Sequence, residues 1–587
     1  MHKKERYCMN KQMCLVAPPA NWRIDMSVDP DAVGRLLHVD SEKGNVLTVT
    51  QDEKRLSVIL HTLWQKETSD ENQTLDFTLL SMQTGRNVCI CWQGFSFRLY
   101  IDGALQDEDW PLGSPLQGKW TATLGEAVHD FSLSNAEALE PDSEEVFTQP
   151  FQYFVLPGHN TGVGDCMPFA RDGRYCLYYL FDRRGHASKK GLGAHQWAQV
   201  SSADLKHWTI HPMAIGITEQ WEGSICTGSL IQREGKTYAF YAVRMDDGSP
   251  ARLTWAVSED GVHFTKSGRQ FSLSAPYEPV SARDPMVFCD AEGVYHMLVT
   301  TSLADQGARG GCLAHLTSTD LLNWSQHDPF IVPGYTDQPE CSDYFEWNGW
   351  YYLVFSNYAT ARYRMSRSPL GPWLRPPVDE LDACEVQVPK TAVYKGRRFS
   401  TGFLARRPRT YAGNAITHEI FQRADGTLGV KHLEEILPQM QAATCADSAL
   451  LQAGSGYAAI DLPKTPGDFR LKATLKPETK GTLMGVCIGL GEASYQIELN
   501  PAAGTVSIIR PNESFSYGCG RDLLCCVDLS GGKTIDLIIR GDILDMTLDD
   551  GRAMAMRLDD NTDAGATVSL YAQAGSLSIT GIQLMTC

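Results

Sequence analysis

A short hairpin turning on a glycine recurs through the middle of this chain, and a repeat of that kind restricts the fold to a solenoid, a propeller or an array. The turns are Arg171-Asp172-Gly173-Arg174, Arg233-Glu234-Gly235-Lys236, Ala291-Glu292-Gly293-Val294, Trp347-Asn348-Gly349-Trp350 and, least regular, Tyr394-Lys395-Gly396-Arg397, with glycines 62, 58, 56 and 47 residues apart. Each glycine is followed by an aromatic and branched run such as Tyr175-Cys176-Leu177-Tyr178-Tyr179-Leu180, which reads as a buried strand. A second element keeps the same beat: Ser202-Ala203-Asp204-Leu205-Lys206-His207-Trp208 is echoed from Ser258 to Phe264 and from Ser318 to Trp324, with a degenerate copy from Ser366 to Trp373. Units built only of strands, with no helical periodicity between them, predict propeller blades of four strands, five in number.

Polar residues just ahead of the hairpins carry the functional signal. Asp165 lies eight residues before its turn glycine, Asp284 nine and Glu340 nine. Equivalent hairpins would put these three carboxylates at equivalent places, where the innermost strands start at one mouth of the central channel. Unpaired carboxylates gathered there are costly to bury, so a functional site is expected. Two carboxyl groups flanking a glycosidic bond suffice for its hydrolysis, and a third can hold sugar hydroxyls. Trp221-Glu222-Gly223-Ser224 and Thr227-Gly228-Ser229 precede the second hairpin and are expected at the same mouth. Asp343 is assigned a structural pairing, and His159 and His186 a surface or packing role; His195 stays open between core and pocket.

The 587 residues exceed what one core can hold. The domains expected are an unstructured lead over 1–20, a lectin-like β-sandwich over 21–148, the propeller over 150–440 and a second, jelly-roll-like sandwich over 441–587. The fold class is therefore all-β. Trp92, Trp110 and Trp120 have the rings to stack on a sugar and are assigned instead to core or packing roles, and the acidic stretch from Glu137 to Glu145 to a solvated linker. The leading domain is left with three candidate jobs: capping the propeller, binding glycan or forming a homodimer contact.

A net charge of −18 argues against nucleic-acid and anionic-membrane partners and suits a small neutral oligosaccharide. No apolar run is long enough to span a bilayer, and no signal segment follows the basic start. The 17 cysteines show no regular framework, which points to reduced thiols and a cytoplasmic setting. No cysteine or histidine pair has metal-ligand spacing, so neither a metal nor a cofactor is expected. The glycines of Gly191-Leu192-Gly193 follow no strand and open no helix, which excludes a dinucleotide loop.

Asp165, Arg283-Asp284-Pro285 and Glu340-Cys341, each in its blade, together resemble glycoside hydrolase family 32, the invertases, fructanases and related fructosyltransferases. Trp197 with Asp204-Leu205-Lys206-His207-Trp208, and Trp221 with Gly228-Ser229, are similar to its first- and second-blade stretches. The likeness covers the propeller and the trailing sandwich; the leading domain is no part of the usual pattern. It implies Asp165 as nucleophile, Glu340 as general acid/base with a raised pKa, and Asp284 with Arg283 holding a fructofuranosyl unit, through a covalent fructosyl-enzyme intermediate. Retention requires Asp165 and Glu340 to lie about 5–5.5 Å apart. The family usually has Asn-Asp-Pro-Asn-Gly at the nucleophile; here Gly164-Asp165-Cys166-Met167-Pro168 stands instead, so the substrate pocket is altered. Trp197, Gln196, His195, Trp221 and Ser229 join Arg283 as expected substrate contacts, with Arg183, Arg184 and His186 as further polar groups nearby. Short fructo-oligosaccharides, a difructose anhydride or a related furanoside are the substrates implied. The alternatives are an inverting arabinofuranosidase- or xylosidase-like enzyme on five blades, a fructosyltransferase, and a non-catalytic sugar-binding protein.

Overall fold

The structure, a computed structural model, describes residues 11–15, 20–65, 72–136, 145–148, 152–155, 161–358, 360–381, 383–406, 411–437, 439–443, 445–491, 493–509, 523–558 and 565–586. Most of the described chain is strand. No helix among these residues is long and apolar enough to cross a membrane.

Each glycine hairpin forms the inner pair of strands of one blade. The inner strands are Cys166–Arg171, Glu222–Arg233, Arg283–Cys289, Glu340–Trp347 and Val386–Tyr394, each antiparallel to the strand after its turn. They pack side by side in order, and the fifth packs on the first, closing a ring of five blades. The ring is latched where Val163, just ahead of blade 1, bridges Gly413 in the third strand of blade 5. Glu145–Thr148 pairs with His207–Ile210 at the outer edge of blade 1. Blade 4 departs from four strands: its sheet has three, and Leu374 supplies only a bridge to Met365.

The Ser-x-Asp motif is a turn between the two outer strands. In blade 1 the Ser202 hydroxyl accepts the Leu205 N–H at 2.7 Å, and Asp204 Oδ1 accepts the N–H groups of Lys206 and His207 at 2.9 and 2.8 Å. Blades 2 and 3 repeat these bonds around Asp260 and Asp320. Leu205, Gly261 and Leu321 all hold positive φ there, which explains the glycine of the second copy.

Residues on both flanks form sandwiches. The N-terminal one has two sheets over a core of Trp22, Trp92, Trp120 and branched residues, and Trp110 is buried against blade 1 instead. Lys11–Leu15 pairs with Trp120–Leu124 as an edge strand. The expectation of an unstructured lead is thus corrected for 11–15, because the sheet edge supplies the backbone partners its polar sequence does not announce. Residues 1–10, and 137–144 of the expected acidic linker, lie outside the described residues. The C-terminal sandwich is organised on the long strand Ala566–Thr586. It meets blade 5 at a buried joint. Asp545 accepts from Gln152 Nε2 at 3.0 Å and the Tyr153 hydroxyl at 3.1 Å, with His418 Nε2 at 3.1 Å and His432 Nε2 at 3.3 Å from its other oxygen.

Candidate active site

Strand pairing decides which residues face the channel. Arg283, Glu340 and Gln387 occupy corresponding rungs, opposite Thr300, Ser356 and Phe403, each seven positions past its turn glycine. Asp165 takes that rung in blade 1, where its carbonyl accepts the N–H of Leu180 at 3.0 Å. Immediately after the rung, blades 3, 4 and 5 carry a β-bulge. Its first residue, Asp284, Cys341 or Val388, has positive φ (54°, 50° and 40°). Asp165 and Glu340 are therefore equivalent, but Asp284 is not their counterpart as its spacing implies. It sits one residue further on, and the bulge re-aims its side chain inward. A left-handed conformation at a non-glycine residue costs about 1–3 kcal/mol, and three at matching places mark a constructed site.

The cavity these strands enclose has a volume of about 270 Å³ and is touched by all five blades. Three donors converge on the Asp165 carboxylate: the Tyr411 hydroxyl at 2.9 Å, the Thr227 hydroxyl, and the Cys341 thiol at 3.4 Å. Tyr411 also accepts the Asp165 backbone N–H at 3.1 Å, so one hydroxyl fixes both backbone and side chain. Gly164 makes room for it, since a Cβ there would lie 2.4 Å from the Tyr411 oxygen.

The other two acids share one cation. Arg283 donates from Nη2 to Glu340 at 2.8 Å, and its Nε lies 3.7 Å from Asp284. Arg283 is held in turn by the Ser281 carbonyl and Gln338. Burial pushes the Glu340 carboxyl up, Arg283 partly offsets this, and the charges of Asp165 and Asp337 add to the rise. Burial likewise pushes Asp284 up to about 6, against the pull of Arg283. Asp284 also accepts the Cys341 N–H at 3.1 Å. The site thus presents a carboxylate ringed by donors and an acid biased toward its protonated form, the pairing that general acid catalysis needs.

Of the expected substrate contacts, Arg283 and His195 line the cavity and four residues do not. Trp197 is buried between blades, its Nε1 donating to the Cys226 carbonyl at 2.9 Å. Gln196 is buried and accepts the Ile217 N–H at 3.0 Å. Trp221 packs on the hydrophobic cluster between blades 1 and 2. Ser229 staples blade 2 to blade 3, donating to the Pro285 carbonyl and accepting the Val287 N–H, both at 2.9 Å. The physical reason at Ser229 is register. A bulge between Ile225 and Gly228 turns Thr227 and Cys226 inward instead. Arg183 and Arg184 turn away to the N-terminal sandwich. Asp343 caps blade 5 through the Thr391 N–H at 2.9 Å, as expected of a structural acid. His159 lies outside the described residues.

His186, expected at the surface or in packing, lines the cavity with His195, Ser224, Arg244 and Tyr411. Its Nδ1 is 3.1 Å from His195 Nε2, and the His195 ring stacks on Tyr411 at 4.7 Å. Burial holds both imidazoles below their ordinary range, with the Arg244 charge adding to it. Nothing periodic marks Tyr411, which lies 246 residues from Asp165 in a blade-5 loop.

Residues 167–369 match the model of the glycosyl hydrolases family 32 N-terminal domain, a span that takes in Asp284 and Glu340 and begins just past Asp165. The chain is 27% identical over 194 residues to a sucrose-6-phosphate hydrolase of Escherichia coli, covering 31% of this chain and 38% of that protein. It is 26% identical over 223 residues to a levanbiose-producing levanase of Geobacillus stearothermophilus, covering 36% and 50%. It thus spans half or less of these curated relatives' length. Among solved structures, a sucrose-6-phosphate hydrolase from Lactobacillus gasseri superposes with a TM-score of 0.58 at 17% identity, over 74% of this chain and 93% of that one. An exo-inulinase from Aspergillus awamori gives 0.57 at 13% identity, over 74% and 98%. The family 32 likeness in sequence thus lies over residues 167–369, and the solved structures extend a shared fold to about three quarters of the chain.

Proposed function

We propose that the protein is a retaining glycoside hydrolase acting on β-fructofuranosides. The observation that carries this is the convergence of Asp165, Asp284 and Glu340 on one cavity, with Glu340 biased toward protonation. In the first half-reaction the Asp165 carboxylate attacks the anomeric carbon of the fructosyl unit. The bond to the leaving oxygen breaks, and Glu340 gives that oxygen its proton. In the second, Glu340 takes a proton from water, the water oxygen attacks the same carbon, and Asp165 leaves as carboxylate. Asp284 and Arg283 hold ring hydroxyls throughout. Sucrose-6-phosphate hydrolase and levanase among the relatives support the fructoside class. The Gly164-Asp165-Cys166 departure and the His186–His195–Tyr411 wall favour short fructo-oligosaccharides or a difructose anhydride.

Incubation with a panel of fructosides, arabinofuranosides and xylosides tests this. The expected result is free fructose, released first as the β-anomer by NMR, with Asp165→Asn and Glu340→Gln slowed at least 1,000-fold while still folded. Inversion, or arabinose or xylose as the product, would overturn the mechanism or the substrate class. Sugar binding without turnover would leave a binding protein.

A further inference from the structure

The N-terminal sandwich grips one particular segment of the propeller, residues 182–195, which joins the second and third strands of blade 1. The gripping element is Ala104–Asp109, whose Asp107, Glu108 and Asp109 are all buried. Three buried carboxylates on one strand are costly unless paired. Arg184 donates to Asp107 at 2.7 Å, to Asp109 at 3.2 Å and to the Thr78 carbonyl at 2.7 Å. Arg183 donates to Glu108 at 3.2 Å, and the Lys189 N–H to Asp109 at 2.8 Å. Lys190 reaches the Asp76 carbonyl over the Phe77 ring. Trp110, directly after the acidic strand, is buried among Met167, Leu180, Ala194 and Trp197 of blade 1.

The segment is strained, although it makes backbone bonds of its own such as Ala187 N–H to the Arg184 carbonyl and Gly193 N–H to the Ser188 carbonyl. His186, Lys189 and Lys190 are in positive φ (78°, 53° and 59°). Such residues cost about 1–3 kcal/mol each and persist only where surroundings over-determine them. Inside the segment, Asp182 accepts the N–H groups of Arg184 and His186 at 2.9 and 3.0 Å and the Ser188 hydroxyl at 2.6 Å. The remaining anchors come from two sides: the sandwich holds Arg183, Arg184, Lys190 and the Lys189 N–H, and blade 2 holds Lys189 Nζ through the Glu222 carbonyl at 2.6 Å and His195 through the Ser224 hydroxyl at 3.3 Å and the Ile225 N–H at 3.2 Å. The segment's other face presents His186 and His195 to the cavity, where His195 stacks on the tyrosine that holds Asp165.

We propose that the N-terminal sandwich is a working part of the active site: its acidic strand holds the 182–195 segment as one wall of the sugar cavity, so the sandwich decides which fructoside fits. This rests on the proposed glycosidase activity. It assigns Arg184, Asp107, Asp109 and Lys190 as positioning residues, none of which touches substrate.

The test compares the full-length protein with Arg184→Met and Lys190→Met, using Arg470→Met, which breaks an ion pair in the C-terminal sandwich, as control. Amide hydrogen exchange over 182–195 and steady-state kinetics on the best fructoside are read together. Arg184→Met is expected to speed exchange in the segment at least tenfold and to raise KM at least fivefold, with kcat within threefold. Lys190→Met, an exposed change that leaves the buried pairs intact, should shift both in the same direction, by about twofold. The control should lower Tm and leave both unmoved. Unchanged exchange and KM overturn the proposal, and so does faster exchange with unchanged KM. If Arg184→Met does not fold, Lys190→Met decides by the same two readouts. If the wild type cleaves no fructoside, the functional reading fails instead, and exchange over 182–195 alone decides whether the sandwich holds the segment.

Discussion

Arg283 serves two acids at once, and its charge is the main force opposing the protonation of Glu340 that burial favours. Turnover by the proposed mechanism needs Glu340 protonated at the first step. The rate should therefore fall as pH rises through a value above the ordinary carboxylate range, because burial has pushed it up. In Arg283→Met the opposing charge is gone, so the basic limb of the kcat profile should move to higher pH. Loss of the proposed hydroxyl contact, about 1.5–3 kcal/mol for a bond to a charged group, should lower kcat/KM about 10–100-fold. A basic limb that stays in place or moves down would show that Glu340 is not the titrating acid. At this scale the sequence was informative about acids and poor about their partners. Asp165, Asp284 and Glu340 stand at countable distances from turn glycines, whereas Tyr411 belongs to no repeat. Trp197 and Trp221 have the composition of a sugar platform, and only packing shows that blade contacts consume them.

The strand element explains why spacing located the acids and misjudged their equivalence. Counting residues back from a turn assumes an uninterrupted ladder, and the bulges in blades 2 to 5 break it by one residue. The slip puts Glu340 nine residues before its glycine on the rung that unbulged Asp165 takes at eight, and the longer turn of blade 3, closed by Cys289 and Tyr295 where Trp347 and Trp350 close that of blade 4, moves Asp284 one residue past it. The hairpins themselves were legible because their period and aromatic runs are local. Blade 1 shows what an unbulged entry requires. Its Gly164 lets the Tyr411 hydroxyl reach both the N–H and the carboxylate of Asp165. Tyr411→Phe should keep the His195 stack and lower kcat about 10–100-fold, with KM nearly unchanged. Gly164→Ala should reproduce that loss, since its methyl would occupy the hydroxyl's place. Wild-type kcat in folded Tyr411→Phe would show that Thr227 and Cys341 alone suffice to hold the nucleophile.

At the scale of the whole molecule, the propeller is braced by both sandwiches, and the two braces differ in chemistry. The N-terminal brace is an acidic strand against arginines, while the C-terminal brace turns on titratable histidines. Burial pulls His432 down, but Asp545, 3.3 Å from its Nε2, and Asp536, 3.6 Å from its Nδ1, outweigh it and raise its pKa. Burial pushes Asp545 up, and His418 and His432 together hold it well below the ordinary carboxylate range. Arg470 and Lys472 pair with Asp536, and Tyr153 and Gln152 donate to Asp545, so these are the other groups facing the joint. The raised imidazole contributes stability that is fully present below its unfolded pKa of about 6.5 and lost as pH rises through its folded value. The depressed carboxylate contributes stability present above about pH 4 and lost as pH falls through its folded value. The joint should therefore be strongest between about pH 4 and 6.5. His432→Gln breaks it and should cost about 3–5 kcal/mol at pH 5.5, the range for removing one partner of a buried ion pair. Denaturant midpoints of wild type and variant at pH 5.5 and pH 9 test this. The gap between them should be wide at pH 5.5 and should narrow as pH rises through the raised folded-state pKa of His432. A gap of equal width at both pH values would mean that the imidazole acts there through shape and hydrogen bonding alone.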